Sequence, residues 1–278
     1  MTDDRVAAVA RTFDGLAHVY DRSGVEFFGP IAAGLVEALA LTPGERVLDL
    51  GCGAGAVLLR AAHAVAPGGS TVGLDVSELM VATTREAADA LGATDVEVIV
   101  GDAQDPALPA GAFDVIASSL VLFFLPGPAA ALERWRGLLA PGGRLGLATF
   151  GERDETFEAL DGLFSPFLPP TMLDARTSGT RGPFASDHGM IAMVEGAGFV
   201  DARTVSLDLA VRFADVSQWE AFSRSTGQAA MWGFAPEAEH DSIRAAAAAL
   251  LAPHADADGS LAVRQRIRYT LARAPIES

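Results

Sequence analysis

The segment Arg46 to Gly55 (RVLDLGCGAG) holds the residues whose types and spacing point most directly to chemistry. Asp49 sits near the end of an apolar run formed by Val47, Leu48 and Leu50. Gly51, Gly53 and Gly55 follow at alternate positions, with Cys52 between the first two. Alternate glycines between a strand and a helix leave the main chain bare, so a ligand can lie directly on it. Further polar residues stand after later apolar runs: Asp75 and Val76, Asp102 and Ala103, and the pair Ser118 and Ser119. The chemistry implied is ligand binding by backbone and by hydrogen-bond-accepting side chains.

The elements that must position these residues follow from periodicity. Residues 4 to 21 and 29 to 40 read as helices, the second with Ile31, Leu35, Val36 and Leu39 on one face. Five strand-like runs follow, at 46 to 50, 71 to 74, 96 to 100, 113 to 117 and 144 to 150. Helical stretches at 56 to 66, 77 to 91 and 129 to 139 alternate with them, and Ser77 has the position of an N-cap. Strands alternating with helices at this spacing specify a doubly wound parallel sheet with its ligand at the carboxyl ends of the strands. Val200 to Phe213 and Leu261 to Ala272 alternate as two long strands, which fits an antiparallel pair at a sheet edge. The expected organisation is one domain over 1 to 278. Its core is 41 to 150, 186 to 213 and 259 to 274, behind an N-terminal helical segment, 1 to 40. Insertions at 151 to 185 and 214 to 258 form a cap.

Asp49 narrows the choice of ligand. A dinucleotide site sets a helix N-terminus against a pyrophosphate, and a carboxylate there would repel it. The sequence also lacks a Gly-x-Gly-x-x-Gly run, since position 56 is Ala. An NAD-type oxidoreductase is disfavoured on both counts. S-adenosyl-L-methionine (SAM) fits better, because it carries an ammonium and a sulfonium and no phosphate. Asp75, 20 residues after Gly55, is placed to accept from both ribose hydroxyls, and Asp102 from the adenine amino group.

VLDLGCGAG, GLDVS, GDAQDPALPAGAFDVI and LAPGGRL resemble the successive motifs of class I SAM-dependent methyltransferases. The ubiquinone/menaquinone methyltransferase-like branch is the nearest in pattern. The resemblance implies a mostly parallel, seven-stranded Rossmann-like sheet with an antiparallel edge strand and helical caps. It places Asp49, Gly51, Cys52 and Gly53 at the methionine end, Asp75 and Val76 at the ribose, and Asp102 and Ala103 at adenine. Ser118 or Ser119 would lie near the sulfonium, and Tyr20 over the cofactor carboxylate. VEFFGP, LVLFFLPGPAAALERW, MLDARTSG and RQRIRYTLAR are similar to bacterial secondary-metabolism methyltransferases, some of which methylate indole C3 of tryptophan-containing cyclic dipeptides and trigger pyrroloindoline closure.

A phenol or carbon nucleophile needs a base unless the substrate ionises itself or loses its proton after attack. Tyr20, Glu26 and His188 are the candidates. Glu26 also reads as a solvated loop acid, and His188 as a surface histidine at a helix start. Substrate-facing candidates are Phe27, Phe124, Arg176, Arg181, Trp219 and Trp232. The aromatics read equally as core, and the arginines as structural ion pairs. Cys52 reads as a small packing residue.

Composition excludes several classes. Against 36 acidic residues stand 20 basic ones, all arginine, for a net charge of −16. Without lysine there is no Schiff base and no P-loop. So acidic a chain repels nucleic-acid phosphates and anionic lipid, which disfavours a quinone enzyme docked on a membrane. One cysteine allows no internal disulfide, and the five histidines show no metal-ligand spacing. The N-terminus does not read as a signal peptide, and no run approaches the roughly 20 apolar residues of a membrane span, so a cytoplasmic location is expected. The expected partner is a small aromatic substrate, with a homodimer left open. A SAM-binding cyclase that transfers no methyl group is the rival from another class.

Overall fold

The computed structural model describes residues 2–152, 154–169 and 182–276. The chain begins with α1 (Thr2–Leu16) and α2 (Phe28–Leu39). It then alternates β1 (Arg46–Leu50), α3 (Leu58–Val65), β2 (Ser70–Asp75), α4 (Glu78–Ala90) and β3 (Val96–Val100). β4 (Phe113–Ser119), α5 (Pro128–Leu138) and β5 (Leu139–Phe150) complete the parallel part. After α6 (Glu155–Gly162) come α7 (Asp187–Gly196) and β6 (Val200–Phe213). The helices α8 (Val216–Arg224), α9 (Ala229–Phe234) and α10 (His240–Leu251) lead to β7 (Leu261–Arg273).

The seven strands form one sheet in the order β3-β2-β1-β4-β5-β7-β6. β3 to β5 pair in parallel, while β7 runs antiparallel to both β5 and β6. The order reverses at β1, so a crevice opens between the carboxyl ends of β1 and β4, where such sheets bind ligands. β1 is buried along Val47, Leu48, Asp49 and Leu50, which explains its unbroken apolar run. α2 lies on β4, β5, β6 and β7, with Ile31, Leu35 and Leu39 buried. Tyr269 of β7 fixes it by donating its hydroxyl to Ile31 O at 2.9 Å.

Two boundaries depart from expectation for visible reasons. α1 stops at Leu16 instead of running to 21. The chain then turns through Val19 and Tyr20, and Asp21 takes a left-handed φ of 55°. The Pro141-Gly142-Gly143 turn is a bulge within β5. Leu139 pairs with Phe113, Arg144 pairs with Val115, and the residues between loop out.

The helices between β6 and β7 share the main core, to which they contribute Trp219, Phe222, Trp232 and Ile243. Trp219 and Trp232 lie with ring centroids 6.0 Å apart, and the Arg224 guanidinium stands 3.8 Å over the Trp232 ring. The Trp232 indole N–H donates to Ser223 Oγ at 2.8 Å. The return from the 151–185 segment is pinned by Arg268 of β7, which is buried. It donates to Phe150 O and Phe184 O at 3.1 and 2.8 Å and pairs with Asp187. No helix among the described residues is long and apolar enough to cross a membrane.

Candidate functional site

The glycine turn after β1 is built by hydrogen bonds to its neighbours. Gly51 and Cys52 donate their N–H groups to Leu74 O at 2.7 and 3.1 Å, joining the turn to β2. Gly53 donates to Asp75 Oδ2 at 2.8 Å, and its carbonyl accepts from Thr84 Oγ1 at 2.6 Å. Gly51 and Gly53 have φ of 78° and 52°, where a side chain is strained. At Gly51 a Cβ would also run into the Val121 side chain. Gly51→Ala is therefore expected to lower stability by about 1 to 3 kcal/mol through overpacking and to deform the loop. A thermal melt, with nucleoside-ligand binding measured in parallel, checks both effects.

Asp75, at the carboxyl end of β2, is 8% exposed. Its second oxygen accepts from Ser77 N at 2.9 Å, and Ser77 caps α4 by accepting from Met80 N. Burial pushes the Asp75 carboxyl up, and the backbone N–H groups of Ser77, Gly53 and Val76 hold that rise back. After β3, Asp102 accepts from Gln104 N at 2.8 Å, and Ala103 O accepts from the Trp135 indole at 2.7 Å. The Gln104 side chain bonds Gly127 through both its oxygen and its nitrogen. Trp135, Gln104 and Thr84 thus hold the loops from behind, and nothing in their spacing marks them for it.

These strand ends surround a cavity of about 720 Å³, its open mouth included. Gly51 and Gly53, Asp75 and Val76, Asp102 and Ala103, and Ser119 line its polar floor. Leu120, Val121, Phe124, Leu125 and Pro126 form one wall. The opposite wall comes from the N-terminal segment: Val6, Val9 and Phe13 of α1, then Tyr20. Phe13 meets Phe124 edge-on at 5.7 Å and Tyr20 at 6.1 Å, while Tyr20 stacks on Phe28 at 4.7 Å. The wall formed by α1 was absent from the sequence reading. Its signal was the i, i+3, i+7 spacing of Val6, Val9 and Phe13, which marks an apolar face but not what that face covers.

Of the predicted residues, the structure gathers Tyr20, Gly51, Gly53, Asp75, Val76, Asp102, Ala103, Ser119 and Phe124 around this cavity. It sets others apart. Ser118 is buried in β4 and donates to Leu50 O at 2.8 Å. Cys52 packs with Leu58, Val81 and Val98, and burial raises its thiol well above the usual range. Of the base candidates, Glu26 and His188 are exposed and outside the lining. The Tyr20 phenol is held protonated, chiefly by desolvation and then by the charges of Asp75 and Asp21. Phe27, Trp219 and Trp232 are core residues; Phe27 packs on Phe222 at 5.2 Å. Trp219 and Trp232 pack on each other, and Trp232 also on Phe164. Arg176 and Arg181 lie outside the described residues.

Asp49 lies behind the glycine turn, 1% exposed, and neither carboxylate oxygen has a hydrogen-bond partner. Burial, and then the charge of Asp75, pushes its carboxyl up to about 7. The Leu58 N–H offsets part of that rise without reaching hydrogen-bond geometry. An unpartnered buried acid beside a second acid creates a negative field that a cation relieves. A ligand with positive charge at the glycine turn, hydroxyls at Asp75 and a flat base at Asp102 and Ala103 matches the cavity. Among the described residues there is no cluster of acids, histidines and cysteine able to hold a metal ion.

Comparison with known proteins places the chain in a family. The profile of a methyltransferase domain family matches residues 41–165. Nocamycin O-methyltransferase of Saccharothrix syringae is 34% identical over 274 residues, which is 94% of this chain and 96% of that protein. Aklanonic acid methyltransferase of Streptomyces sp. (strain C5) is 38% identical over 166 residues, covering 60% of this chain and 76% of its own. Among solved structures, the YcgJ protein of Bacillus subtilis shares the fold. Its TM-score is 0.59 at 17% identity, over 90% of this chain and 99% of that one.

Proposed function

The chain belongs to the class I SAM-dependent methyltransferases, and from that premise we propose that it methylates an oxygen of a small, largely apolar secondary metabolite. The observation that carries this reading is the juxtaposition of an acid-lined floor with an aliphatic and aromatic rim in one cavity. In this reading Asp75 accepts from the ribose hydroxyls, and Asp102 with Ala103 frames the adenine. Gly51, Gly53 and Tyr20 hold the methionine end, with the Asp49 charge behind it. SAM supplies a methyl group made electrophilic by its sulfonium. The chain's own task is to keep the acceptor about 3 Å from that methyl, in line with the departing sulfur. Phe13, Val121 and Phe124 keep water from the reacting atoms.

The titratable groups of the described lining are Asp75, Asp102 and Tyr20. The two acids are engaged by the nucleoside in this reading, and the phenol stays protonated. The described lining thus supplies no ready base, which favours an acceptor that ionises unaided, such as an acidic enol, phenol or carboxyl group. One of the two named relatives is an O-methyltransferase, which favours oxygen. Indole C3 of a tryptophan-containing cyclic dipeptide is the second reading. It too needs no base before transfer, because methylation at C3 gives an indoleninium ion, and the proton leaves afterwards from the amide N–H as its nitrogen closes onto C2.

Incubation with SAM and a panel of acidic polyketides, phenols and tryptophan cyclic dipeptides separates these readings. The expected product gains one methyl, which NMR places on oxygen. A methyl on a ring carbon would transfer the assignment to the indole reading. A product of unchanged mass, formed without S-adenosylhomocysteine (SAH), would overturn methyl transfer in favour of a cyclase.

A further inference from the structure

The wall contributed by α1 is fastened to the cofactor floor at one polar point. Asp14, one residue beyond Phe13, accepts from Ser77 Oγ at 2.6 Å and from Leu79 N at 3.3 Å. Ser77 also donates its N–H to Asp75 at 2.9 Å and accepts from Met80 N at 3.1 Å. Asp75 in turn receives Gly53 N, and Gly53 O receives Thr84 Oγ1. One hydrogen-bonded chain therefore runs from the N-terminal helix through the α4 cap and the strand-end acid to the glycine turn. Ser77 is buried, whereas Asp14 is partly exposed, so Asp14 is the end at which this chain opens to water.

We propose that Asp14 is a positioning residue for cofactor capture: its carboxylate latches α1 across the cavity onto the same serine that orients Asp75, so closing the wall and aligning the acid are one event. The proposal rests on the reading of Asp75 as a cofactor ligand. The Asp14 bonds are charge-assisted and lie where the N-terminal dipole of α4 favours an anion. A bare apolar helix leaning on Phe124 would be free to slide, and the latch gives it a register. With the latch open, the Ser77 hydroxyl loses its acceptor, and Val6, Val9 and Phe13 no longer confine what lies beneath them.

The test uses SAH as the probe, with dissociation followed by stopped flow and the α1 amides by hydrogen exchange. Wild-type protein should bind SAH and gain protection in α1; a wild type that binds no SAH would overturn the cofactor reading itself. Asp14→Ala should release SAH about tenfold faster, the scale of one charge-assisted hydrogen bond, and lose the protection of α1. Asp14→Asn should restore both in part, since its amide oxygen accepts the same two bonds without the charge. Arg11→Ala, exposed on the same helix, serves as the unaltered control. Ser77→Asp keeps an N-cap acceptor for Met80 but opposes Asp14, and should mimic Asp14→Ala even where that variant folds poorly. An Asp14→Ala protein that melts lower but releases SAH at the wild-type rate would reduce Asp14 to a helix cap and overturn the proposal.

Discussion

Asp75→Ala is expected to weaken SAH binding on the order of 100-fold or more, since two hydrogen bonds to a charged acceptor are lost together. The loss has two parts. One is the direct loss of an acceptor facing the nucleoside. The other is structural, because Gly53 N and Ser77 N both end on this carboxylate and would be left without it. Asp75→Asn separates the two. Its single carbonyl oxygen can keep one of those backbone donors, while its amide presents N–H groups where an acceptor is wanted. If Asp75 served only to shape the loop, affinity and melting temperature of Asp75→Asn should both fall about midway between wild type and Ala, following the one backbone bond that is lost. If it binds ribose, Asn should resemble Ala in affinity while melting closer to wild type. Titration calorimetry beside a thermal melt reads both quantities, and an unchanged dissociation constant in Asp75→Ala would remove Asp75 from the cofactor site.

The floor of the cavity was legible in the sequence and most of the rim was not, for a physical reason. Asp75, Asp102 and Gly51 stand at strand ends, and strand ends are visible because buried parallel strands read as unbroken apolar runs. The crossover rule then brings those ends to one edge of the sheet without any knowledge of packing. The rim depends on which amphipathic faces meet. Val6, Val9 and Phe13 have the spacing of any helix packed on a core, yet here that face overlooks the cavity. Trp219 and Trp232 show the converse. Aromatics in an insertion near a site invite a binding role, but these two pack on each other, Trp232 also on Arg224 and Phe164, and join the main core. Pairings among helices that are distant in sequence are set by tertiary contact, and periodicity carries no record of the partner.

Asp49 leads to the second large effect, a dependence of binding on pH. In the folded chain its carboxyl titrates at about 7, against a usual value of 3.8, because burial and the Asp75 charge disfavour the anion. The folded state therefore holds more protons than the unfolded one between those two values. This group's contribution makes the ligand-free protein lose stability as pH rises through that window. A cation bound at the glycine turn reverses the preference by stabilising the carboxylate, so binding releases a proton wherever Asp49 was protonated. SAM affinity should accordingly climb as pH rises toward about 7 and then level off as Asp49 becomes fully ionised. Calorimetry at about pH 6 in two buffers of different ionisation enthalpy should register release of up to about one proton per site. Asp49→Asn is isosteric and cannot titrate. It should flatten the climb and abolish the difference between buffers, while the melting temperature of the ligand-free protein ceases to fall across the same window. A wild-type affinity independent of pH would mean that the Asp49 charge is not felt by the ligand. The buried, unpartnered carboxylate would then be a burden on the fold without a role in binding.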